Sequence, residues 1–290
     1  MMLYVLLFVS VLIDTLKNIC YNQFSKNRLQ TQRDAMLFNV VSCAGSVLFF
    51  VFSGASPEVS AYSMVMAVIF AVVTVGSQYF ALLAMSLGSM SYSVLFSYLS
   101  MLIPVAFGIL YYGQPVKLWQ IVGLILMLIT FVLSVDLKEN VSMSLKWLLA
   151  ALGSFVMVGL VGICQQLHQN SEFAGELEGF LLWTFLFSTV MFLGLFFVMP
   201  KRERQKESGY RLKTPFTIFA LLSGVAIGAI NQINLYLSGR MPSVIFFPIV
   251  SGGVIILSGL AAILIFREKL TKKQQAGLLL GMASVLLLGM

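Results

Sequence analysis

Ten apolar runs, separated by short polar or turn-forming connections, occupy almost the whole of this chain. An α-helix rises 1.5 Å per residue, so about 20 apolar residues cross a hydrocarbon core of ~30 Å. Ten such spans use roughly 200 residues; the chain has 290. Too little remains for a separate catalytic or ligand-binding domain. With 59% hydrophobic and 10% charged residues, and a mean hydropathy of +0.96, a water-soluble globule is ruled out. A transmembrane barrel would alternate in segments of about ten residues, whereas these runs are continuous and read as helices.

The predicted spans are 3–25, 35–53, 61–85, 89–112 and 117–135, then 144–168, 179–199, 214–237, 242–266 and 273–289. Clusters such as Gly113-Gln114-Pro115 and Gly239-Arg240-Met241-Pro242 punctuate them. The apolar start, Met1 to Phe8, lacks a basic leader and a small-residue cleavage site, so it is expected to remain as the first span. Cys20, Cys43 and Cys164 lie within apolar runs and read as small buried hydrophobes. The expected location is the cell membrane, crossed many times.

The net charge of +7 does not indicate nucleic acid, because the basic residues sit in connections beside the spans. The odd-numbered connections hold 3, 0, 2, 6 and 4 Lys or Arg, whereas the even-numbered ones hold only Lys117 and Arg240. The positive-inside rule then places the Lys201–Lys213 connection in the cytoplasm and both termini outside. A reporter that lights only in the cytoplasm, fused after Met290, should stay dark; a bright fusion reverses the orientation.

Residues 1–140 and 141–290 show weak internal similarity. Ile19-Cys20-Tyr21-Asn22 matches Ile163-Cys164-Gln165-Gln166, Gly88-Ser89-Met90 matches Gly239-Arg240-Met241, and Gln120-Ile121-Val122-Gly123 matches Gln274-Gln275-Ala276-Gly277, in the same order. Five spans per half is an odd number, so the second half enters the membrane inverted. Secondary transporters use this design and place their site at the midplane. The expected fold is therefore all-α, with ten transmembrane helices in two inverted five-helix repeats.

The run Pro248 to Gly253, continuing through Leu257-Ser258-Gly259 to Phe266-Arg267-Glu268-Lys269-Leu270-Thr271 and Gln275-Ala276-Gly277, resembles the last two helices of the drug/metabolite transporter superfamily, in its EamA-like ten-span form. Pro104 to Val116 is a worn copy, with Gln114 where that family usually has Glu. The resemblance implies a transporter of amino acids, nucleotide precursors, drugs or other metabolites. Small four-helix relatives in the superfamily carry one acidic residue in the first span that exchanges protons against cations. This chain differs in having Lys17 beside Asp14, which favours the ionised carboxylate and opposes proton uptake.

Asp14 and Lys17 are the charges that lie deep in a span, Asp14 roughly 16 Å into the core by helical rise. Ionised groups there cost at least ~2.5 kcal/mol on insertion scales and mark substrate or ion sites. Three residues apart, they share a helical face. A structural ion pair is the alternative. A positive and a negative group side by side suit a zwitterion, Asp14 meeting its ammonium and Lys17 its carboxylate. The remaining candidate lining is neutral: Asn18, Asn22 and Gln23; Gln78 and Tyr79; Tyr92 and Tyr98; Gln165 and Gln166; Trp183 and Thr184; Asn231, Gln232 and Asn234. Interhelical hydrogen bonding is the other role open to these amides. Interfacial anchoring or packing fits Trp119 and Trp147 better than Trp183.

The cavity is expected between spans 1, 3, 4, 6, 8 and 9, with spans 5 and 10 set back because they carry few polar residues. Pro104 and Pro248 are expected to kink spans 4 and 9. Gly277 with Gly281, and Gly224 with Gly228, allow close helix packing within the chain or in a dimer. A monomer or weak homodimer is expected. His168 reads as a solvated turn residue. No metal cluster, phosphate loop or nucleophile triad is present in the sequence, so no cofactor and no enzymatic activity are expected. The expected function is secondary transport of a small polar metabolite, together with its coupling ion where one is used. A proton-coupled organic-cation exporter and a non-transporting scaffold are the alternatives.

Overall fold

The computed structural model describes residues 2–28, 32–88, 90–134, 144–198, 214–264 and 271–290. The described residues form α1 (Met2–Arg28), α2 (Gln32–Phe52), α3 (Ala61–Leu87), α4 (Met90–Leu99), α5 (Leu102–Tyr112), α6 (Leu118–Ser134), α7 (Leu145–Gln169), α8 (Leu177–Val198), α9 (Thr214–Ser238), α10 (Ser243–Leu264) and α11 (Lys272–Gly289), with no strand among them. Among the described residues, eight helices, counting α4 and α5 as one, are long and apolar enough to cross a membrane, as in a multi-pass membrane protein. Their outward faces are apolar. On α3, Val65, Val68, Ile69 and Val72 form an exposed stripe, a surface suited to lipid and not to water.

The fifth and tenth predicted spans differ from the other eight. Helix α6 has 17 residues and rises about 25 Å, short of a full hydrocarbon core. Helix α11 opens on Lys272, Lys273, Gln274 and Gln275, which lower its apolar content. These two helices pack on one another. Gly123 lies against Leu288 and the Ser284 carbonyl. Ser284 Oγ donates to the Gly123 carbonyl at 2.6 Å, and Gly281 lies against Thr130 and Ile256. The small residues of α11 thus serve contacts inside the chain.

Further pairings join the two halves: α3 with α7, α2 with both α8 and α9, α3 with α8, and α1 with α9 and α10. The two larger apolar cores among the described residues draw on both halves. One joins Met36, Phe50 and Phe70 to Phe180, Phe185 and Phe192. The other joins Leu7 and Met101 to Met127, Phe131, Phe246 and Leu288. At the α2–α9 crossing, Ser42 Oγ donates to the Ala220 carbonyl at 3.1 Å and Ser46 Oγ to the Gly224 carbonyl at 2.7 Å. Gly45 and Gly224 let the two backbones meet there.

The two intramembrane prolines act differently. Helix α10 runs through Pro248 unbroken. At Pro104 the fourth span divides into α4 and α5, with Ser100 and Met101 as the joint. Pro104 has no N–H for the Ser100 carbonyl, which instead accepts from Ile103 N at 3.1 Å in a tighter turn.

Candidate functional site: a central polar cavity

A cavity of about 400 Å³ lies between the two cores. Its lining comes from α1, α2, α3, the α4–α5 joint, α7, α8, α9 and α10, and neither α6 nor α11 contributes. Asp14 and Lys17 are its only charged lining residues among those described. Lys17 Nζ sits 2.6 Å from Asp14 Oδ1, and the two side chains keep 23% and 21% of their surface accessible. That exposure leaves both groups able to meet a solute. Asn18 Nδ2 also donates to Asp14 Oδ1, at 3.3 Å, so Asn18 steadies the carboxylate from its own helix.

Gln78, Gln165, Thr184, Asn231 and Asn234 reach the cavity as well. Asn234 is tied to α1, its Oδ1 accepting from Ser10 Oγ at 2.6 Å. Other candidates are not among its lining residues. Tyr98 packs on Phe131 with ring centroids 5.6 Å apart, and Tyr79 meets Phe80 edge-on at 5.6 Å. Gln232 donates to Glu178 Oε1 at 2.7 Å and lines a separate recess with Glu58, Glu176 and Arg240. Asn22, Gln23 and Cys20 lie outside the described side chains, as do the Lys201–Lys213 connection and Phe266 to Leu270 of the motif.

One aromatic expectation reverses. Trp183 donates from Nε1 to the Pro57 carbonyl at 2.9 Å, beside a connection, which is the position of an interfacial anchor. Trp147 is buried, donates to Ser93 Oγ at 3.1 Å and closes over Gly88. Trp119 is exposed on the outer face, as an anchor would be. His168 is likewise not a solvated turn residue. It is fully buried, stacks on Phe180 at 4.0 Å, and shares hydrogen bonds with Ser63 Oγ and Gln169 Nε2, both at 3.2 Å. Phe180 supplies this burial from another helix, which the polar neighbourhood His168-Gln169-Asn170 does not reveal.

The second helix was absent from the expected lining, yet Asn39, Ser42 and Cys43 bring it to the cavity. Thr74, Ser77, Ser97, Ser100 and Ser251 were missed too. The available signal was spacing: Asn39, Ser42 and Ser46 recur at three and four residues, as do Ser93, Ser97 and Ser100.

No family model matches the chain, and no curated protein aligns with it significantly. One solved protein crystal structure is similar over 98% of this chain and 94% of its own, with a TM-score of 0.73 at 12% identity. At that identity the likeness establishes the fold alone.

Proposed function

We propose that this protein is a secondary transporter that moves a small, net-neutral polar metabolite across the cell membrane by alternating access, with an amino-acid-like zwitterion as its substrate. The observation that carries this reading is the Asp14–Lys17 pair facing a polar cavity of about 400 Å³. That volume suits a small molecule. Because the two charges sum to zero, a solute with a single net charge would leave one group uncompensated in a poorly solvated space. A zwitterion exchanges the internal pair for two external ones, ammonium to Asp14 and carboxylate to Lys17.

The same reading takes residues 1–140 and 141–290 as inverted repeats of the EamA-like drug/metabolite transporter fold. The packing supports it. If each span is exchanged for the one five places along, α3 on α7 becomes α9 on α1, α2 on α9 becomes α8 on α3, and α1 on α10 becomes α7 on α4 and α5. All of these pairs pack together. The α6–α11 and α2–α8 pairs map onto themselves, as helices on a pseudo-twofold axis should.

Thermal unfolding of the purified protein with an amino-acid panel tests the substrate class. A ligand at 100 times its Kd stabilises by about 2.7 kcal/mol. Some free amino acids should raise Tm, whereas their methyl esters, which are cations, and their N-acetyl forms, which are anions, should not. Stabilisation by the esters alone moves the protein to the organic-cation class.

A further inference from the structure

A cluster of hydrogen bonds lies between the cavity and the membrane face that carries the even-numbered connections. Gln166, fully buried at the end of α7, donates from Nε2 to the Pro104 carbonyl at 2.8 Å and accepts at Oε1 from Ser243 Oγ at 2.8 Å. Ser243 N, the first amide of α10, donates to Gln114 Oε1 at 2.8 Å. Three spans are thereby joined at one point. Pro104 lines the cavity, as do Gln165 and Phe247 beside the other members, so the cluster forms part of the cavity's roof.

Local sequence makes room for the cluster. A Cβ at Gly108 would collide with Ser243 Oγ and with Gln114 Oε1. A Cβ at Gly162 would come within 2.7 Å of Pro104 and 2.9 Å of Phe247. Gly113 ends α5 at a φ of 61°, in the left-handed region, and turns the chain so that Gln114 reaches α10. Behind the cluster, Val244, Ile245 and Phe246 are buried.

We infer that Gln166, Ser243, Gln114 and the Pro104 carbonyl form the gate that closes the central cavity toward the even-numbered connections. This inference rests on the transport reading. Polar contacts suit a gate because water entering an opened passage replaces each lost hydrogen bond, whereas separating a purely apolar seal would wet its whole surface. The Pro104 joint supplies the movable part. Helix α5 packs on α7 and α10, the helices to which the cluster ties it, while α4 packs on α3, α6 and α7. Parting the cluster therefore lets α5 move at the joint while α4 stays held by α3 and α6.

The test is side-specific labelling. In a parent with Cys20, Cys43 and Cys164 replaced by alanine, Thr74→Cys places a thiol in the cavity wall. A charged, membrane-impermeant methanethiosulfonate is then applied from the face on which Gly175→Cys, an open connection site, reacts at once. The parent should label slowly from that face. Gln166→Leu, and separately Ser243→Ala, should raise the rate about tenfold, the effect of losing one or two intramembrane hydrogen bonds. Ser46→Ala, at the α2–α9 crossing, should leave it unchanged.

An unaltered rate in both gate variants overturns the inference, as does equal acceleration by Ser46→Ala, which signals general loosening. Labelling needs no substrate, so its outcome is separable from that of the zwitterion reading. Acceleration without amino-acid binding keeps the gate and removes the proposed substrate.

Discussion

Asp14→Asn/Lys17→Met is expected to insert, purify and melt like the parent, yet to carry no substrate. The stability half follows from the cost of desolvating a charge pair, which its mutual attraction often fails to recover. Replacing both members by neutral groups of similar volume should be neutral or stabilising. The transport half follows from direct contact: losing charge-assisted bonds in a site closed around its solute costs about 2–5 kcal/mol, roughly a 30- to several-thousandfold fall in affinity. Uptake into proteoliposomes and a thermal melt of the same preparation read the two halves. Each single change leaves one half-buried charge without its partner and is expected to lower both readings, so the double variant decides. Normal uptake by the well-folded double variant would leave the neutral amides and serines as the cavity's only recognition chemistry.

The largest loss of stability is expected from Gly224→Ala. Its Cβ would be driven into the Ser42 carbonyl and to 2.9 Å from Gly45 Cα, both rigid backbone. Helices α2 and α9 would have to separate, breaking the Ser42 and Ser46 hydrogen bonds across the crossing. Overpacking of this kind costs about 1–3 kcal/mol and sometimes more. Gly194→Ala provides the contrast, since a Cβ there meets nothing within 4 Å. In a helix interior it should raise stability by about 0.5–1 kcal/mol. Melting both variants in the same detergent checks the argument, and equal Tm values would show that the α2–α9 contact is looser than described.

Hydropathy located the helices well because the quantity that identifies a span, continuous apolar character, is also the one the bilayer selects. The expected 61–85 and 144–168 appear as Ala61–Leu87 and Leu145–Gln169. The break in the fourth span is also legible, since a missing N–H has one local consequence. That α10 runs through Pro248 depends on its surroundings, and the sequence does not contain them in readable form.

The site was legible where chemistry is costly and illegible where it is cheap. Asp14 and Lys17 stand out because an ion at mid-membrane needs a reason. Serine does not, because a serine in a span serves packing as readily as a cavity. Ser42 does both, lining the cavity while bonding to α9, and Ser46 serves the crossing. Adjacent residues on a helix point about 100° apart. Gln165 faces the cavity and Gln166 the roof, although the sequence presents them as a pair. The gate members Gln114 and Ser243 are ordinary turn residues until three helices are brought together.

The central claim is that the Asp14–Lys17 cavity carries a zwitterion across the membrane. Counterflow tests it most directly. Proteoliposomes preloaded with an unlabelled amino acid that stabilises the protein are diluted into a trace of the same compound, labelled. The parent should accumulate label transiently, and Asp14→Asn/Lys17→Met liposomes should match protein-free ones. Protein-free levels in the parent, for every amino acid that stabilises it, would contradict transport and leave a membrane protein that binds amino acids without moving them.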